Sequence, residues 1–193
     1  MHPDEARWNE KYRNGSHQEP EQPPALLLEL LPTLERGRAL DLACGRGRNA
    51  LWLAQEGFRV QAVDLSGVAL EQLRARADAR ERNARGLELA LYQLDLDTWE
   101  PARVWGVGAP AWTLITCTRY LDRRLLSLLP TLLAPGGYLL YEALISLETP
   151  SPSAFRIHPE ALWAAFERPG LRRVARALSD DGQALAVLVQ REP

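Results

Sequence analysis

The stretch Ala39–Asn49 (ALDLACGRGRN) constrains the fold of this chain more than any other. A short apolar run ends in two glycines, Gly45 and Gly47, and a helical pattern of apolar residues follows at once. That order is typical of a buried parallel strand, a tight turn and a helix whose first amides point back over the turn. Glycine permits unusual φ values and lets a ligand lie almost against the backbone. Glycine turns are common, so this stretch does not decide a function by itself.

The rest of the chain alternates between strand patterns and helical patterns. The first predicted strand ends at Ala43, and the others cover Phe58–Asp64, Leu87–Leu94, Ala111–Cys117, Tyr138–Ala143, Leu171–Leu178 and Gln183–Gln190. Helices are predicted after the first, second and fourth strands, the second of them with Ser66 as its N-cap, and a loop joins the third strand to the fourth. The last two strands are joined by a turn of four residues and form an antiparallel hairpin. This order predicts an α/β protein with a Rossmann-like, doubly wound, mostly parallel seven-stranded sheet that ends in an antiparallel C-terminal hairpin.

The domain organisation follows from the length of 193 residues, which suits a single domain. Residues 1–34 are expected to form an N-terminal helical cap or lid, and residues 38–193 the α/β core. In the cap, Trp8 and Tyr12 lie one helical turn apart, a spacing that fits packing on the domain as well as closure over a ligand. The segment 146–157 is rich in Ser and Pro and is predicted to be a loop.

Charge and hydropathy exclude several classes of function. The net charge of −2 gives no general electrostatic attraction for nucleic acid. The cluster of five arginines between Arg74 and Arg85 is better explained as a solvated helix face, because Asp78 and Glu81 precede Arg82 and Arg85 by four residues. No run is long and apolar enough to cross a membrane, and the polar N-terminus is not a secretory signal, so we expect a cytoplasmic protein.

The two cysteines, Cys44 and Cys117, have no spacing to each other or to histidine that suggests a metal site. Both lie at the carboxyl ends of strands that are predicted to be neighbours. The preferred interpretation is that both cysteines are small hydrophobic side chains buried in the core. Because they lie beside the expected ligand crevice, a redox pair stays open as the alternative.

Ligands of a doubly wound sheet bind outside the carboxyl ends of the strands, where the strand order reverses. Asp64 lies there, nineteen residues after Gly45, close to the spacing that places a carboxylate on a ribose diol. The alternative is a turn residue before Ser66. Asp41 and Asp95 also end apolar runs, and such carboxylates suit a cationic cofactor such as S-adenosylmethionine (SAM) better than a pyrophosphate. The glycine pattern also fits an NAD-binding turn, so the residues alone leave both cofactors open.

These motifs together resemble the class I SAM-dependent methyltransferases over nearly the whole chain. Four stretches carry the resemblance: Leu40–Gly47, Val63–Ser66, Asp95–Leu96 and Leu133–Gly137. Trp8–Tyr12 (WNEKY), together with Gly45–Asn49, further resembles the tellurite-resistance and thiopurine methyltransferase group.

The resemblance implies a role for individual residues in binding SAM. Ala43, Cys44, Gly45 and Gly47 would surround its methionine part, with Asp41 near the ammonium group. Asp64 would hold the ribose hydroxyls, with Leu65 against adenine, and Asp95 and Leu96 would complete the adenine pocket. Thr116 and Cys117 would border the sulfur that donates the methyl group. Trp8 and Tyr12 would close over the cofactor, where aromatic faces suit a sulfonium.

The methyl acceptor is expected to be a small molecule, and the residues leave its identity open. Arg119 and Tyr120, just after the fourth strand, are predicted to orient it, with Arg119 holding an anionic group. The alternatives for these two are an ion pair between Arg119 and Asp122 and a packed tyrosine. A soft nucleophile needs no base. Glu142 and His158 are possible bases. An ion pair with an arginine explains Glu142 better, and a position at a helix N-terminus explains His158 better.

Two other functions stay open on this reasoning. An NAD-binding oxidoreductase fits the glycine turn. A SAM-binding regulatory protein without catalysis fits the absence of an unmistakable base or nucleophile. The oligomeric state is not predicted.

Overall fold

The computed structural model describes residues 3–17, 19–81, 86–101, 104, 111–148 and 153–193. Arg82 and Arg85 of the predicted arginine face, and residues 149–152 of the predicted loop, lie outside these ranges. The helices are α1 Pro3–Arg13, α2 Ala25–Leu30, α3 Arg48–Gln55, α4 Gly67–Glu81, α5 Arg123–Leu128 and α6 Pro159–Ala164. The strands are β1 Arg38–Leu42, β2 Arg59–Asp64, β3 Leu89–Gln93, β4 Trp112–Thr118, β5 Leu133–Leu144, β6 Leu171–Leu178 and β7 Ala184–Arg191.

The strands form one sheet in the order β3-β2-β1-β4-β5-β7-β6. Strands β1 to β5 are parallel, and β7 inserts antiparallel between β5 and β6. The predicted fold class is therefore confirmed. The chain runs outward from β1 to β3 and then returns to place β4 on the other side of β1. This reversal creates a crevice at the carboxyl ends of β1 and β4.

Apolar residues cover both faces of the sheet, as a doubly wound sheet requires. In β1, Ala39 packs into the cluster that contains α2, α3 and α4, while Leu40 packs into the cluster that contains α5. Successive side chains of a strand point to opposite faces, so an uninterrupted apolar run serves both layers. The helix α4 begins where Ser66 was predicted to cap it, since the Ser66 hydroxyl accepts a hydrogen bond from the Ala69 amide at 3.1 Å.

The fifth strand was predicted to begin at Tyr138, but the structure also incorporates the preceding segment Ala134–Gly137 into β5. Trp112 pairs with Leu133 and Leu114 with Tyr138, so the extra residues form an irregularity against β4. Gly137 lies where the two backbones approach each other. A Cβ atom on Gly137 would lie 2.6 Å from the Trp112 carbonyl oxygen and 2.9 Å from that of Ala134.

We therefore expect Gly137→Ala to lower the free energy of unfolding by about 1–3 kcal/mol, because backbone atoms cannot move aside as a flexible side chain can. Chemical denaturation measures this difference. Gly86→Ala is the matched control, since a Cβ built there has no atom within 4 Å among the described residues beyond its neighbours in the chain. Equal stability of the two variants would contradict the expectation.

Candidate functional site

A cavity of about 350 Å³ opens at the carboxyl ends of the parallel strands, within the size range of small-ligand sites. Ten of the fifteen residues proposed from sequence line it: Trp8, Tyr12, Ala43, Cys44, Asp64, Leu65, Asp95, Leu96, Arg119 and Tyr120. The other five, which are Asp41, Gly45, Gly47, Thr116 and Cys117, do not. The strand ends therefore converge as the topology requires, but not every predicted side chain reaches the cavity.

Asp64 joins the end of β2 to the glycine turn after β1. Its carboxylate accepts hydrogen bonds from the Gly45 amide and the Ser66 amide, both at 2.8 Å. Burial raises the pKa of this carboxyl to about 6, against the lowering effect of those two amides. Asp64 still lines the cavity, and each carboxylate oxygen has a second acceptor position. It thus shapes the turn and also presents acceptor positions to the cavity.

The two glycines of the turn are covered by protein and do not face the cavity. A Cβ on Gly45 would lie 2.1 Å from Oε1 of Glu19, and one on Gly47 would lie 2.1 Å from Cδ1 of Leu73. Both glycines have positive φ, +53° and +78°. Gly47 therefore permits close packing of the turn on α4, which differs from the expected contact with the methionine part of SAM.

Asp41 does not reach the cavity either, and its side chain is completely buried. It lies opposite Thr116 in the register of β1 and β4 and accepts that hydroxyl at 2.7 Å. It also accepts the Ala50 amide at 3.0 Å and the Asn49 side-chain amide at 3.4 Å, near the start of α3. Burial raises its pKa to about 6. The expected contact of Asp41 with an ammonium group is corrected, because its acceptor positions serve this internal network.

Thr116 and Cys117 lie beneath the cavity, which corrects their expected position beside the sulfur. Both are fully buried. The physical reason is that β4 continues one residue further than predicted, so Thr118 forms its edge and lines the cavity. The Thr118 hydroxyl accepts hydrogen bonds from Asn49 at 3.1 Å and from Arg48 at 3.2 Å.

The two cysteines are free and buried, as the preferred interpretation predicted. Cys44 lines the cavity, and burial raises the pKa of its thiol well above the usual value, with the carboxylates Asp64 and Asp41 acting in the same direction. Burial also raises the pKa of Cys117. Both side chains are therefore neutral thiols at physiological pH.

The opposite wall of the cavity carries the predicted adenine-side residues. Leu65, Asp95 and Leu96 all line it. The Asp95 carboxylate accepts the Asp97 amide at 2.9 Å, which fixes the loop after β3. Asp97 in turn accepts the Tyr120 hydroxyl at 2.7 Å. The side chain of Tyr120 thus bridges the loops after β3 and β4.

The helix α1 brings aromatic side chains to the cavity. Trp8 and Tyr12 lie 6.1 Å apart between ring centroids, and His17 contacts both rings edge-on. Asn9, which sequence reasoning missed, docks this helix on α4: its side-chain oxygen accepts the Ser66 hydroxyl at 2.7 Å and the Val68 amide at 3.2 Å. A single Asn within a polar helix gives no sequence signal for such a role.

Glu19 is a second residue that the sequence did not single out. It lines the cavity, and its Oε1 atom accepts the Tyr12 hydroxyl at 2.9 Å and the Arg46 amide at 3.3 Å. Its Oε2 atom lies 3.5 Å from Nε of Arg46. The segment that follows α1 has no hydropathy period, so no pattern indicates which of its polar side chains turns inward.

Arg119 lies at the mouth of the cavity in a left-handed conformation, with φ +57°. Its amide donates to the Glu142 carbonyl at 2.8 Å, and its guanidinium lies 3.4 Å from the Glu142 carboxylate and 2.9 Å from that of Asp181. The ion pair with Asp122, which was the alternative to a role in orienting the acceptor, is not among these contacts, because Asp122 caps α5. Glu142 forms the expected ion pair with an arginine. His158 is the N-cap of α6, at the helix N-terminus where it was expected.

Within the described ranges, no three His, Cys, Asp or Glu side chains are grouped as a metal site would need. Among the same residues, no helix combines the length and the apolar character needed to span a membrane.

Comparison with known proteins shows the family to which this chain belongs. A family model described as a methyltransferase domain matches residues 39–137, more than half of the chain. The chain belongs to the class I SAM-dependent methyltransferases. A curated thiopurine S-methyltransferase of Pseudomonas fluorescens is 33% identical over 132 residues, which cover 65% of this methyltransferase and 59% of that protein. A ribosomal RNA small subunit methyltransferase C of Alcanivorax borkumensis is 33% identical over 129 residues, or 64% and 38% of the two chains.

This methyltransferase spans less than two thirds of the length of those curated relatives. Among solved structures, TehB from Haemophilus influenzae superimposes with a TM-score of 0.66 at 17% identity, over 98% of this chain and 67% of that chain. The predicted resemblance to the tellurite-resistance and thiopurine methyltransferase group is thus confirmed. Other methyltransferases of the same fold have been crystallised with SAM or S-adenosylhomocysteine (SAH).

Proposed function

We propose that this protein transfers a methyl group from SAM to a small-molecule acceptor. The observation that carries the proposal is Asp64, a buried carboxylate at the end of β2 that holds the Gly45 amide and also lines the cavity. A carboxylate in this place binds the hydroxyls of a ribose in nucleoside-binding sheets. Its negative charge, with that of Asp95, suits a cofactor that carries a sulfonium.

The residues of the cavity fit the parts of SAM. Asp64 binds the ribose, Leu65 and Leu96 provide apolar contacts for adenine, and Asp95 accepts its amino group. Trp8 and Tyr12 present aromatic faces, which attract a sulfonium. The N-terminal segment that carries them acts as the lid of a single catalytic domain. When bound, SAM supplies an activated methyl group with a good leaving group.

The remaining wall of the cavity receives the acceptor. Arg119 and Tyr120 orient it, and Leu121, Leu144 and Phe155 give this side an apolar lining. Much of the rate comes from holding the nucleophile in line with the methyl group. Glu142 is not the base in this scheme, because its carboxylate is buried and faces Arg119 and Arg48. A soft nucleophile needs no base.

Thermal denaturation with and without ligands tests the cofactor. At a concentration of about 100 times its Kd, SAM is expected to add about 2.7 kcal/mol to the free energy of unfolding, which raises Tm by about 5–10 °C. NAD(H) is the matched control ligand. Stabilisation by NAD(H) without an effect of SAM would favour an oxidoreductase.

Formation of SAH from labelled SAM then tests the activity. The acceptor panel contains aromatic thiols, selenide and tellurite-derived species, and carboxylates. SAH formation with any of them supports an enzyme, whereas SAM binding with no turnover across the panel would favour a regulatory protein. Ribosomal RNA, added as a further acceptor, is expected to remain unmethylated.

A further inference from the structure

We propose that the carboxylate of Glu19 binds the α-ammonium group of SAM, a role that the sequence pattern assigns to Asp41. This inference rests on the proposed function and deepens it. It makes the segment after α1 part of the cofactor site. The glycine turn then supplies the shape of this subsite, and Glu19 supplies its charge.

The position of Glu19 is the first observation. Its Oε1 atom lies directly over Gly45, where a Cβ would be only 2.1 Å away. Its side chain is 14% exposed and lines the cavity beside Cys44 and Asp64. In the proposed site, the methionine part of SAM lies at this glycine turn. A cationic group bound there lies between two carboxylates, that of Glu19 over Gly45 and that of Asp64 on the Gly45 amide.

The second observation is that Asp41 cannot serve in its place. Asp41 has no exposed surface and accepts hydrogen bonds from three internal donors. Glu19, in contrast, has free acceptor capacity. A carboxylate offers about four acceptor positions, and among the described residues Glu19 accepts hydrogen bonds from the Tyr12 hydroxyl and the Arg46 amide.

The third observation concerns the charges around Glu19. The charged or titratable side chains within 4 Å of it are the guanidinium of Arg46, with Nε at 3.5 Å, and His17, with Nε2 at 3.8 Å. Arg48 and Arg76 also attract this carboxylate. Arg48, however, lies 3.9 Å from the Glu142 carboxylate, and the Arg76 guanidinium donates a hydrogen bond to the Arg46 carbonyl. Burial lowers the pKa of His17, so this imidazole is neutral at physiological pH. Arg46 itself is exposed over more than a third of its side chain, where water screens its charge. The Glu19 carboxylate therefore retains its attraction for a second cation.

The contacts of Glu19 also fix its geometry before a ligand binds. Tyr12 belongs to α1 and Arg46 to the glycine turn, so this carboxylate joins the lid to the core. A group held in this way loses little conformational entropy on binding. Because the proposed contact of Glu19 is with the ammonium group, we expect Glu19 to raise the affinity for ligands that carry the amino-acid chain. It should contribute little to the affinity for adenosine alone.

Calorimetric titration of the full chain with two probes tests the inference. SAH carries the ammonium group, and 5′-methylthioadenosine keeps the adenosine and the sulfur but lacks the amino-acid chain. We expect Glu19→Gln to weaken SAH binding by about ten- to hundredfold, as for one charge-assisted hydrogen bond. Binding of 5′-methylthioadenosine should be unchanged. Glu21→Gln, a neutralised exposed carboxylate two residues away, is the matched control.

Three results would overturn the inference. Equal losses for both probes would mean that Glu19 acts only by holding the lid. Tighter SAH binding by Glu19→Gln would mean that this carboxylate blocks the cofactor, and an unchanged SAH affinity would mean that it does not contact the ligand. Glu19→Asp keeps the charge on a shorter side chain and should lose less SAH affinity than Glu19→Gln. If Glu19→Gln does not fold, Glu19→Asp replaces it in the comparison of the two probes. Failure of the wild type to bind either probe would instead refute the proposed function, and this inference with it.

Discussion

Asp64→Ala is expected to abolish measurable SAM binding while the protein stays folded. The variant removes the acceptor for the ribose hydroxyls. It also releases the Gly45 amide, so the glycine turn loses the bond that sets its distance from β2. Two charge-assisted hydrogen bonds at about 1.5–3 kcal/mol each correspond to a loss of at least about a hundredfold in affinity. Calorimetric titration with SAH measures the change.

The control for this experiment is Asp78→Ala, which removes an exposed carboxylate from α4, outside the cavity. Thermal denaturation of both variants shows whether they are folded. Asp64→Ala should be the less stable, by about 1–3 kcal/mol, because the amides of Gly45 and Ser66 lose a buried acceptor. An SAH affinity equal to that of the wild type would show that the ribose assignment is wrong.

The second large effect concerns Asp41 and the pH dependence of stability. Burial raises its pKa to about 6 in the folded protein, above the value of about 3.9 in an unfolded chain. The folded state therefore binds this proton more tightly than the unfolded state. Its contribution to stability is complete below about pH 4 and is lost as the pH rises through 6. One pKa unit corresponds to about 1.4 kcal/mol, so the loss is about 3 kcal/mol.

Asp41→Asn removes this titration and keeps the size of the side chain. Between pH 4 and 7, the free energy of unfolding of the wild type should fall by about 3 kcal/mol more than that of the variant. Urea denaturation at a series of pH values measures the difference. Asp78→Asn should follow the wild type. Parallel curves for the wild type and Asp41→Asn would show that the pKa of Asp41 is not raised by burial.

The sheet and the position of the cavity could be predicted because both depend on local patterns. Apolar runs mark strands that are buried on both faces, and the residues that follow those runs must lie at one edge of a parallel sheet. Asp64, Asp95 and Arg119 were found in this way. The glycine turn was found because its φ values exclude most other residues.

Other features depend on tertiary contacts that no local pattern records. The carboxyl end of β4 lies one residue further along the chain than its pattern indicates, and this shift places Thr118 at the cavity in place of Cys117. Glu19 and Asn9 act through partners that are 27 and 57 residues away. The irregularity at Gly137 arises from the pairing of β5 with β4, and the sequence around Gly137 alone does not indicate it. Such residues become visible only once the packing is known.

The place of β7 between β5 and β6 has a consequence for synthesis of the chain. β6 is made before β7, yet β7 is the neighbour with which it pairs in the described sheet. While the ribosome is still producing β7, β6 is thus an unpaired strand that another molecule could join. Its arginines at 172, 173 and 176 place positive charge along that open edge, and such charge disfavours aggregation during this interval.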